Sequence, residues 1–206
     1  FAKISGSPWL NVAANGTLSG TPTALHVGDN AFTVRATDPL GLIAETTLTI
    51  RVITPPPPAN RIWDISAASG VQGGDSEWNL SAPLWTIDNG LTLIPWNNQL
   101  HFGDTAVFSA GSGRVEVPSN LALAGITVSS TTSSTVGGRD NMVYLFQGAG
   151  ELQFGANTGV IDVTASGLRN HQINNSLSGS GGLLVRSSGN NGEGRLILAG
   201  INSGLS

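Results

Sequence analysis

The chain contains 206 residues and no cysteine, and its 9 lysine and arginine residues against 13 aspartate and glutamate residues give a formal net charge of −4. Without cysteine the chain can form no disulfide, no thiolate nucleophile and no cysteine zinc site. Its single lysine, Lys3, excludes a Walker A loop, and it has no basic run to neutralise phosphates, so we expect no nucleic-acid partner.

The rest of the composition indicates a turn-rich protein with a weakly charged surface. Charged residues make up 11% of the chain and 28 residues are glycine. No stretch reaches the roughly 18 consecutive apolar residues of a membrane helix, so we expect no membrane insertion. Residues 1–10 lack the cationic and apolar segments of a signal peptide, and we expect any export signal to lie outside this sequence.

The first 53 residues show the period-two alternation of half-buried strands. Residues 30–37 and 42–52 alternate apolar with polar side chains, and the stretch Asp38-Pro39-Leu40-Gly41 between them predicts a hairpin turn. A very short strand is expected at residues 17–18, between two glycine-containing turns. Four or five strands are therefore predicted before the prolines that begin at Pro55.

This segment carries a family resemblance. The stretch Gly16-Thr17-Leu18-Ser19-Gly20-Thr21-Pro22, followed by residues 32–38 and 48–50, resembles the bacterial putative-Ig and cadherin-like (dystroglycan-type) surface modules. Such modules need about 7 strands and ~100 residues to close a sandwich. The resemblance therefore implies a partial Ig/cadherin-like β-sandwich over residues 1–53, in a chain that begins inside a domain.

Cadherin-like modules often bind calcium between domains, which makes oxygen-bearing side chains of this segment candidate ligands. Asp29, Asn30 and Asp38 could supply oxygens from two loops, but calcium takes six or more ligands, and Asp and Asn are also the ordinary turn formers. The family's acidic linker residues are replaced here by Pro55 to Pro58. We expect no cofactor, and name these three residues as the calcium ligands if calcium is bound.

A proline-rich linker over residues 54–60 separates this module from the rest, because successive prolines favour a stiff polyproline II spacer. Beyond it, short apolar runs recur about every ten residues without a helical stripe, which favours a sandwich, a barrel or a solenoid. Glycine clusters stand directly before several of these runs, at residues 148–150, 179–182 and 192–194. These imperfect repeats favour the solenoid, whose chain turns a tight corner before each new strand.

A second resemblance covers roughly residues 61–202. Gly179-Ser180-Gly181-Gly182-Leu183, followed by residues 194–202, is similar to the autotransporter-associated β-strand repeat, although the tail departs from the family pattern at residues 202–204. The resemblance implies a right-handed parallel β-helix over residues 61–206, in a large surface-exposed or secreted bacterial protein. The expected fold class of the whole chain is all-β.

Tryptophans are concentrated where the second module begins. Trp63, Trp78, Trp85 and Trp96 fall within 34 residues. The favoured interpretation is a cap over residues 63–96 that covers the open first turn of the solenoid. The alternative is an aromatic platform for sugar rings, formed by Trp63, Trp85 and Trp96.

Candidate catalytic groups are sparse. Asp162 and Glu151 could face one another on adjacent turns as a carboxylate pair, and Arg169-Asn170-His171 with Asp162 is a cluster with a base, an acid and a cation. Isolated acids are more often solvated turn residues, and the cluster is more often a polar corner of the solenoid. The three histidines are widely separated, so each is interpreted as a surface or turn residue and not as a metal ligand.

The sequence thus predicts a structural or adhesive segment of a large extracellular bacterial surface or filament protein, without catalysis. The rival interpretations are a β-helix enzyme that acts on polysaccharides and a non-catalytic carbohydrate-binding module. Expected partners are neighbouring domains of a longer chain or further copies of the protein, with glycans as a further candidate.

Overall fold

The computed structural model describes residues 1–163, 169–187, 195–200 and 204–205. The chain divides into two compact units, Phe1–Pro55 (unit 1) and Pro56–Ser206 (unit 2). Within the described residues the regular structure is strand, apart from one 3₁₀ turn at Ala24–His26. No helix there is long and apolar enough to span a membrane. The all-β class is confirmed; the predicted glycine cluster at 192–194 and the repeat tail at 202–203 lie outside the described residues.

Unit 1 contains two antiparallel sheets among the described residues. The strands are β1 (Ala2–Ser5), β2 (Asn11–Val12), β3 (Leu18–Ser19), β4 (Gly28–Thr37) and β5 (Ile43–Val52). One sheet has the order β1-β4-β5, and β2 pairs with β3. The short strand begins one residue later than the sequence predicted.

The hairpin between β4 and β5 forms where the sequence predicted it. Its register runs without a bulge from Gly28 opposite Val52 to Thr37 opposite Ile43. In the turn, the Oδ1 atom of Asp38 accepts the N–H groups of Leu40 and Leu42, each at 2.8 Å. This local bonding by an aspartate side chain is the reason that such residues favour turns.

The core of unit 1 is small. Phe32 on β4 is buried, as is Leu10, and Trp9 packs edge-on against Phe32 with the ring centroids 5.2 Å apart. On β5 the side chains of Leu48, Ile50 and Val52 are half-buried, while the residues between them are exposed. The alternation therefore marks which face of this sheet packs inward.

Unit 2 opens with four short strands: β6 (Asn60–Trp63), β7 (Ser76–Glu77), β8 (Pro83–Thr86) and β9 (Ile94–Pro95). The strands that follow are β10 (Thr105–Phe108), β11 (Gly113–Glu116), β12 (Leu121–Leu123), β13 (Gly125–Val128), β14 (Ser134–Val136), β15 (Arg139–Gln147), β16 (Leu152–Phe154), β17 (Gly159–Val163), β18 (Asn170–Ile173), β19 (Leu177–Gly179), β20 (Leu183–Arg186), β21 (Arg195–Leu198) and β22 (Gly204–Leu205).

Successive strands from β10 onward, apart from β14, belong in turn to three parallel sheets. Among the described residues, one sheet contains β10, β13, β17 and β20, the next contains β11, β15, β18 and β21, and the third contains β12, β16, β19 and β22. Apart from β12, which begins its sheet, each of these strands pairs in parallel with the strand one turn earlier; for example, β13 pairs with β10 through Ile126 and Ala106, and β17 pairs with β13 through Ile161 and Ile126. The chain therefore visits all three sheets before it returns to the first.

Side chains at equivalent positions stack to form the core of unit 2. Val115, Phe146, Ile173 and Leu198 are successive register partners that all pack in this core, and Leu121, Leu152 and Leu177 form a second such column. In-register parallel pairing keeps each side chain on the same face as its partner. The recurring apolar runs thus produce a continuous core, which explains why they recur about every ten residues in the sequence.

Glycine allows the backbone to stack closely at the corners. A Cβ atom at Gly150 would lie 2.2 Å from the carbonyl oxygen of Ser119 on the previous turn. The Gly150 N–H donates to the carbonyl of Val117 at 2.8 Å. Only a residue without a Cβ atom fits such an approach, so the glycine cluster at residues 148–150 lies at a tight corner, as predicted.

A β-hairpin formed by β14 and the start of β15 interrupts the regular order of parallel strands. β14 pairs antiparallel with the first part of β15, and the connecting residues Gly137 and Gly138 have φ angles of 58° and 74°. Two positive φ values are the requirement of a type I′ hairpin turn. The hairpin covers a small separate apolar cluster of Val136, Met142 and Leu145. The sequence interpretation did not include this hairpin.

Candidate functional site

The four clustered tryptophans all lie inside unit 2. Trp63, Trp78, Trp85 and Trp96 are each 0% exposed. The Trp85 ring centroid lies 5.2 Å from that of Trp63, 4.7 Å from that of Trp78 and 5.0 Å from that of Trp96. A sugar platform needs an exposed ring face, so Trp63, Trp85 and Trp96 do not form one in this structure.

The cluster sits against the first turn of the parallel sheets. Phe108 on β10 contacts three of the rings, with its centroid 5.5 Å from that of Trp63 and 5.7 Å from that of Trp85. Large aromatic rings bury much apolar area in such contacts. The apolar interior at this end of the sheets is therefore covered by side chains of residues 63–96.

Trp96 and Asn98 also form hydrogen bonds to the backbone at this end of the sheets. Asn98 Nδ2 donates to the carbonyl of Asn120 at 2.8 Å, and the N–H of Ala122 donates to Asn98 Oδ1 at 2.9 Å. Trp96 Nε1 donates to the carbonyl of Ala122 at 3.1 Å. These bonds occupy backbone groups of β12 and of the residue before it. β12 is the first strand of its sheet and has no strand beside it on that side within the described residues.

The sheet that contains β6 is extended by β8, which pairs antiparallel with β6, and by β9, which pairs antiparallel with β8. Pro83 of β8 lies opposite Pro95 of β9, and β9 is the last strand on that side among the described residues. Proline has no N–H to offer to another strand, so its presence at an edge opposes further pairing.

A buried ion pair joins this end of unit 2 to the first full turn. Arg61 on β6 donates through Nε to Asp104 Oδ2, and both side chains are almost fully buried. Asp104 Oδ1 also accepts the N–H of Ala59 at 2.7 Å, and its carbonyl accepts the N–H of Ala124 at 2.8 Å. Asp104 thus contacts backbone on both sides of β10.

His101 is buried next to this pair. Burial lowers the pKa of His101, the Arg61 charge lowers it further, and the Asp104 charge acts in the opposite direction. Its Nδ1 atom accepts the N–H of Asn97 at 3.0 Å. His101 therefore belongs to the interior of a turn and not to the protein surface.

The candidate calcium ligands are not brought together. Asp29 and Asn30 stand at the start of β4 and Asp38 follows its end, so about 30 Å of extended strand separates Asp29 from Asp38. Asn30 Nδ2 donates to the carbonyls of His26 and Gly28, and Asp38 is bonded within its own turn. The described residues contain no cluster of three or more His, Cys, Asp or Glu side chains able to hold a metal ion.

The candidate carboxylate pair is also separated. Glu151 directly precedes β16, whereas Asp162 lies within β17, so the two acids belong to different sheets. Asp162 is 6% exposed and accepts a hydrogen bond from Arg186 Nε at 2.8 Å. The interpretation of Asp162 as a solvated turn residue is wrong, because it is a buried strand residue in an ion pair.

His171 is buried within unit 2. It lies on β18 two residues before Ile173, and its register partner Leu196 packs against the same core, so the ring points inward. The side chain is 1% exposed and neither ring nitrogen has a hydrogen-bond partner. Burial, with a smaller contribution from the charge of Arg169, lowers the pKa of His171 to about 4. The expectation of a surface or turn histidine is therefore wrong here.

The chain is similar to part of a known bacterial protein. Over 148 residues, which is 70% of this chain, it is 32% identical to the "Adhesin BmaC autotransporter" of Brucella suis, and the match spans 4% of that protein. No family model matches the chain, and no solved structure matches it. The all-β chain is thus similar to a short segment of a bacterial autotransporter adhesin.

Proposed function

We propose that the chain is a structural or adhesive segment of a large bacterial cell-surface protein. In this proposal unit 2 is the start of a parallel β-helix and unit 1 is part of an Ig/cadherin-like sandwich. The observation that carries the proposal is the rotation of the strands through three parallel sheets, because such stacking builds long, rigid surface structures from repeats. The similarity to a segment of an autotransporter adhesin supports the same interpretation.

The tryptophan segment acts in this proposal as the cap of the β-helix. A solenoid leaves the apolar interior and the strand edges of its first turn open, and terminal repeats are therefore atypical. The buried ring cluster supports closure of the interior, and the side chain of Asn98 supports closure of the β12 edge. Pro95 on β9 supports protection of the edge that β9 forms.

The placement of the candidate catalytic residues disfavours the enzyme alternative. A general acid or base must reach the proton that it transfers. The imidazole of His171 lies in the core, and Asp162 is buried and bonded to Arg186. We therefore propose that the chain has no active site of its own.

Surface exposure can be tested on intact bacteria of the source strain. Antibodies raised against the 206-residue chain should label unpermeabilised cells, and attachment of those cells to host-cell monolayers should fall when the purified chain is added as a competitor. The heat-denatured chain is the matched competitor control. Labelling that requires permeabilisation would contradict the surface proposal, whereas surface labelling without competition would leave a structural role and reject the adhesive one.

The enzyme alternative is tested separately. The purified chain is incubated with a panel of acidic and neutral polysaccharides, and new reducing ends or unsaturated products are measured. We expect none. Cleavage that disappears in Asp162→Ala or His171→Ala, while the variants keep the wild-type circular dichroism spectrum, would replace the structural proposal with an enzymatic one.

A further inference from the structure

Strand β5 forms a long, unblocked edge of the sheet in unit 1. It is the last strand of the order β1-β4-β5, and no described strand pairs with its outer side. Its ten residues contain no proline, and its ladder with β4 has no bulge. A proline or a bulge often interrupts a natural edge strand, because a row of unpaired N–H and C=O groups is a template for another strand.

The hydrogen-bond pattern identifies the free groups. The N–H of Asp38 donates to the carbonyl of Leu42 at 3.0 Å, which makes this opposing pair a hydrogen-bonded one. Because such pairs alternate along an antiparallel ladder, the even-numbered residues of β5 bond to β4. The odd-numbered residues direct their N–H and C=O groups outward: Ile43, Glu45, Thr47, Thr49 and Arg51.

Two opposite charges stand symmetrically on this edge. Glu45 and Arg51 are both odd-numbered and lie three residues on either side of Leu48. If a second β5 pairs antiparallel with its centre on Leu48, Glu45 of each copy faces Arg51 of the other. The neighbouring registers in which odd residues still face odd residues are centred on Thr47 or Thr49, and they place neither charge opposite its complement.

From this we infer that unit 1 self-associates through β5, which pairs with β5 of a second copy in the register centred on Leu48. A twofold axis then makes one surface complementary to itself. Each Glu45–Arg51 pair is hydrogen-bonded through the backbone, and both charges lie on the exposed face of the sheet. On the other face the two Leu48 side chains meet, which adds apolar contact between residues that are half-buried in one copy.

The charges already present on this face do not block the pairing. Glu45 Oε1 accepts a hydrogen bond from Arg35 Nε at 2.7 Å, and Arg51 Nε lies 3.7 Å from Asp29 Oδ1. Both contacts are within one copy and substantially exposed. A carboxylate can accept from two arginines at once, so the second copy extends these pairs into a network without breaking them.

The first test is the mass of the complete chain in solution. Sedimentation equilibrium of the wild type should show a concentration-dependent approach to twice 21.1 kDa. Glu45→Arg alone, or Arg51→Glu alone, places like charges opposite each other and should weaken association about tenfold or more. An equal mixture of these two variants restores both attractive pairs in a heterodimer and should regain wild-type association. A variant that merely misfolds cannot be rescued in this way.

The second test determines the register by disulfide cross-linking. The chain has no native cysteine, so an introduced cysteine can form a disulfide only with its copy in a second chain. Leu48 faces itself in a pair without backbone hydrogen bonds, where the Cα atoms lie about 4.5 Å apart, so Leu48→Cys should oxidise to a covalent dimer. Ile50→Cys is the matched control on the same face, because its two copies lie about 13 Å apart along the strands.

A monomeric wild type at all concentrations would overturn the inference, as would equal cross-linking of both cysteine variants. Thr47→Pro removes an outward N–H of β5. If association persists in this variant and in both charge-reversal variants, the interface lies elsewhere. The inference concerns unit 1 alone and does not rest on the proposed function. A monomer could still be a surface adhesin, and a dimer could form in a protein without adhesive activity.

Discussion

Asp104 holds the guanidinium group of Arg61 in a site where both side chains are shielded from water. The carboxylate also accepts the N–H of Ala59 at 2.7 Å, so a single acidic side chain links β6 to the turn that precedes β10. The contact joins residues 43 positions apart. It connects the tryptophan segment to the first parallel turn of unit 2.

Asp104→Ala should lower the free energy of unfolding of unit 2 by about 3–5 kcal/mol, because it leaves a buried guanidinium without its partner. The measurement is a urea titration followed by the fluorescence of the buried tryptophans. The double variant Arg61→Met with Asp104→Leu removes both charges and should be less destabilised than the single variant. Equal losses in the two variants would show that the pair is solvated.

Acidification should destabilise unit 2 through His171. Its pKa is about 4 in the folded chain, against 6.5 ordinarily, so the unfolded chain binds the proton more readily. Stability is therefore fully present above about pH 6.5 and falls as the pH drops towards 4, by about 3 kcal/mol in total. The measurement is unfolding by urea at a series of pH values between 7 and about 4.

His171→Leu is the matched variant for this prediction. It should flatten the pH dependence over that interval, and the remaining slope reports His101 and Asp88, whose pKa values are also lowered in the folded chain. At neutral pH the variant should be no less stable than the wild type, because both ring nitrogens of His171 lack hydrogen-bond partners. An unchanged pH profile would mean that His171 is not buried as a neutral base.

Gly150→Ala should destabilise unit 2 by about 1–3 kcal/mol, because the added methyl group meets the Ser119 carbonyl 2.2 Å away and forces the corner apart. Gly155→Ala is the control, since a Cβ atom there meets nothing within 4 Å. It should change the stability by less than about 0.5 kcal/mol. Thermal melts of both variants make the comparison, and similar melting temperatures would contradict the close stacking.

Asn98→Ala should expose the backbone of β12. Loss of the side-chain amide leaves the part-buried Ala122 N–H without its partner, at a cost of about 1 kcal/mol, whereas the exposed Asn120 carbonyl binds water instead. Asn98→Asp keeps the acceptor for the Ala122 N–H and loses only the donor. Amide hydrogen exchange should therefore show faster exchange at Ala122 in the alanine variant than in the aspartate variant.

Local chemistry explains how much of this fold the sequence could predict. The hairpin at Asp38 was predictable because an aspartate in a turn bonds to its own neighbours. The tight corner at Gly150 was predictable because glycine before an apolar run indicates a backbone that must turn closely. The β14 hairpin was missed because its short strand, Ser134–Val136, contains a single apolar residue, although the Gly137-Gly138 pair was a turn signal.

The candidate site residues were harder to place, because burial depends on what lies opposite. Nothing in the neighbourhood of His171 distinguishes an inward ring from an outward one, since a shift of one residue reverses the face. The same uncertainty applied to Asp162. The pairing of β17 with β20 places Arg186, 24 residues later, beside the buried Asp162 carboxylate, and the Arg186 side chain itself is largely exposed.

The sequence by itself determined that the chain is all-β, where most strands and corners fall, and that no cysteine or basic surface is available for chemistry. These properties follow from composition and from period-two alternation, which act over a few residues. The tertiary structure decided which side chains lose contact with water. Trp85 became core because Trp78, Trp96 and Phe108 surround it, and Asn98 became a partner of β12 because the chain folds back over 24 residues. Such contacts depend on the register of distant segments, which no local pattern encodes.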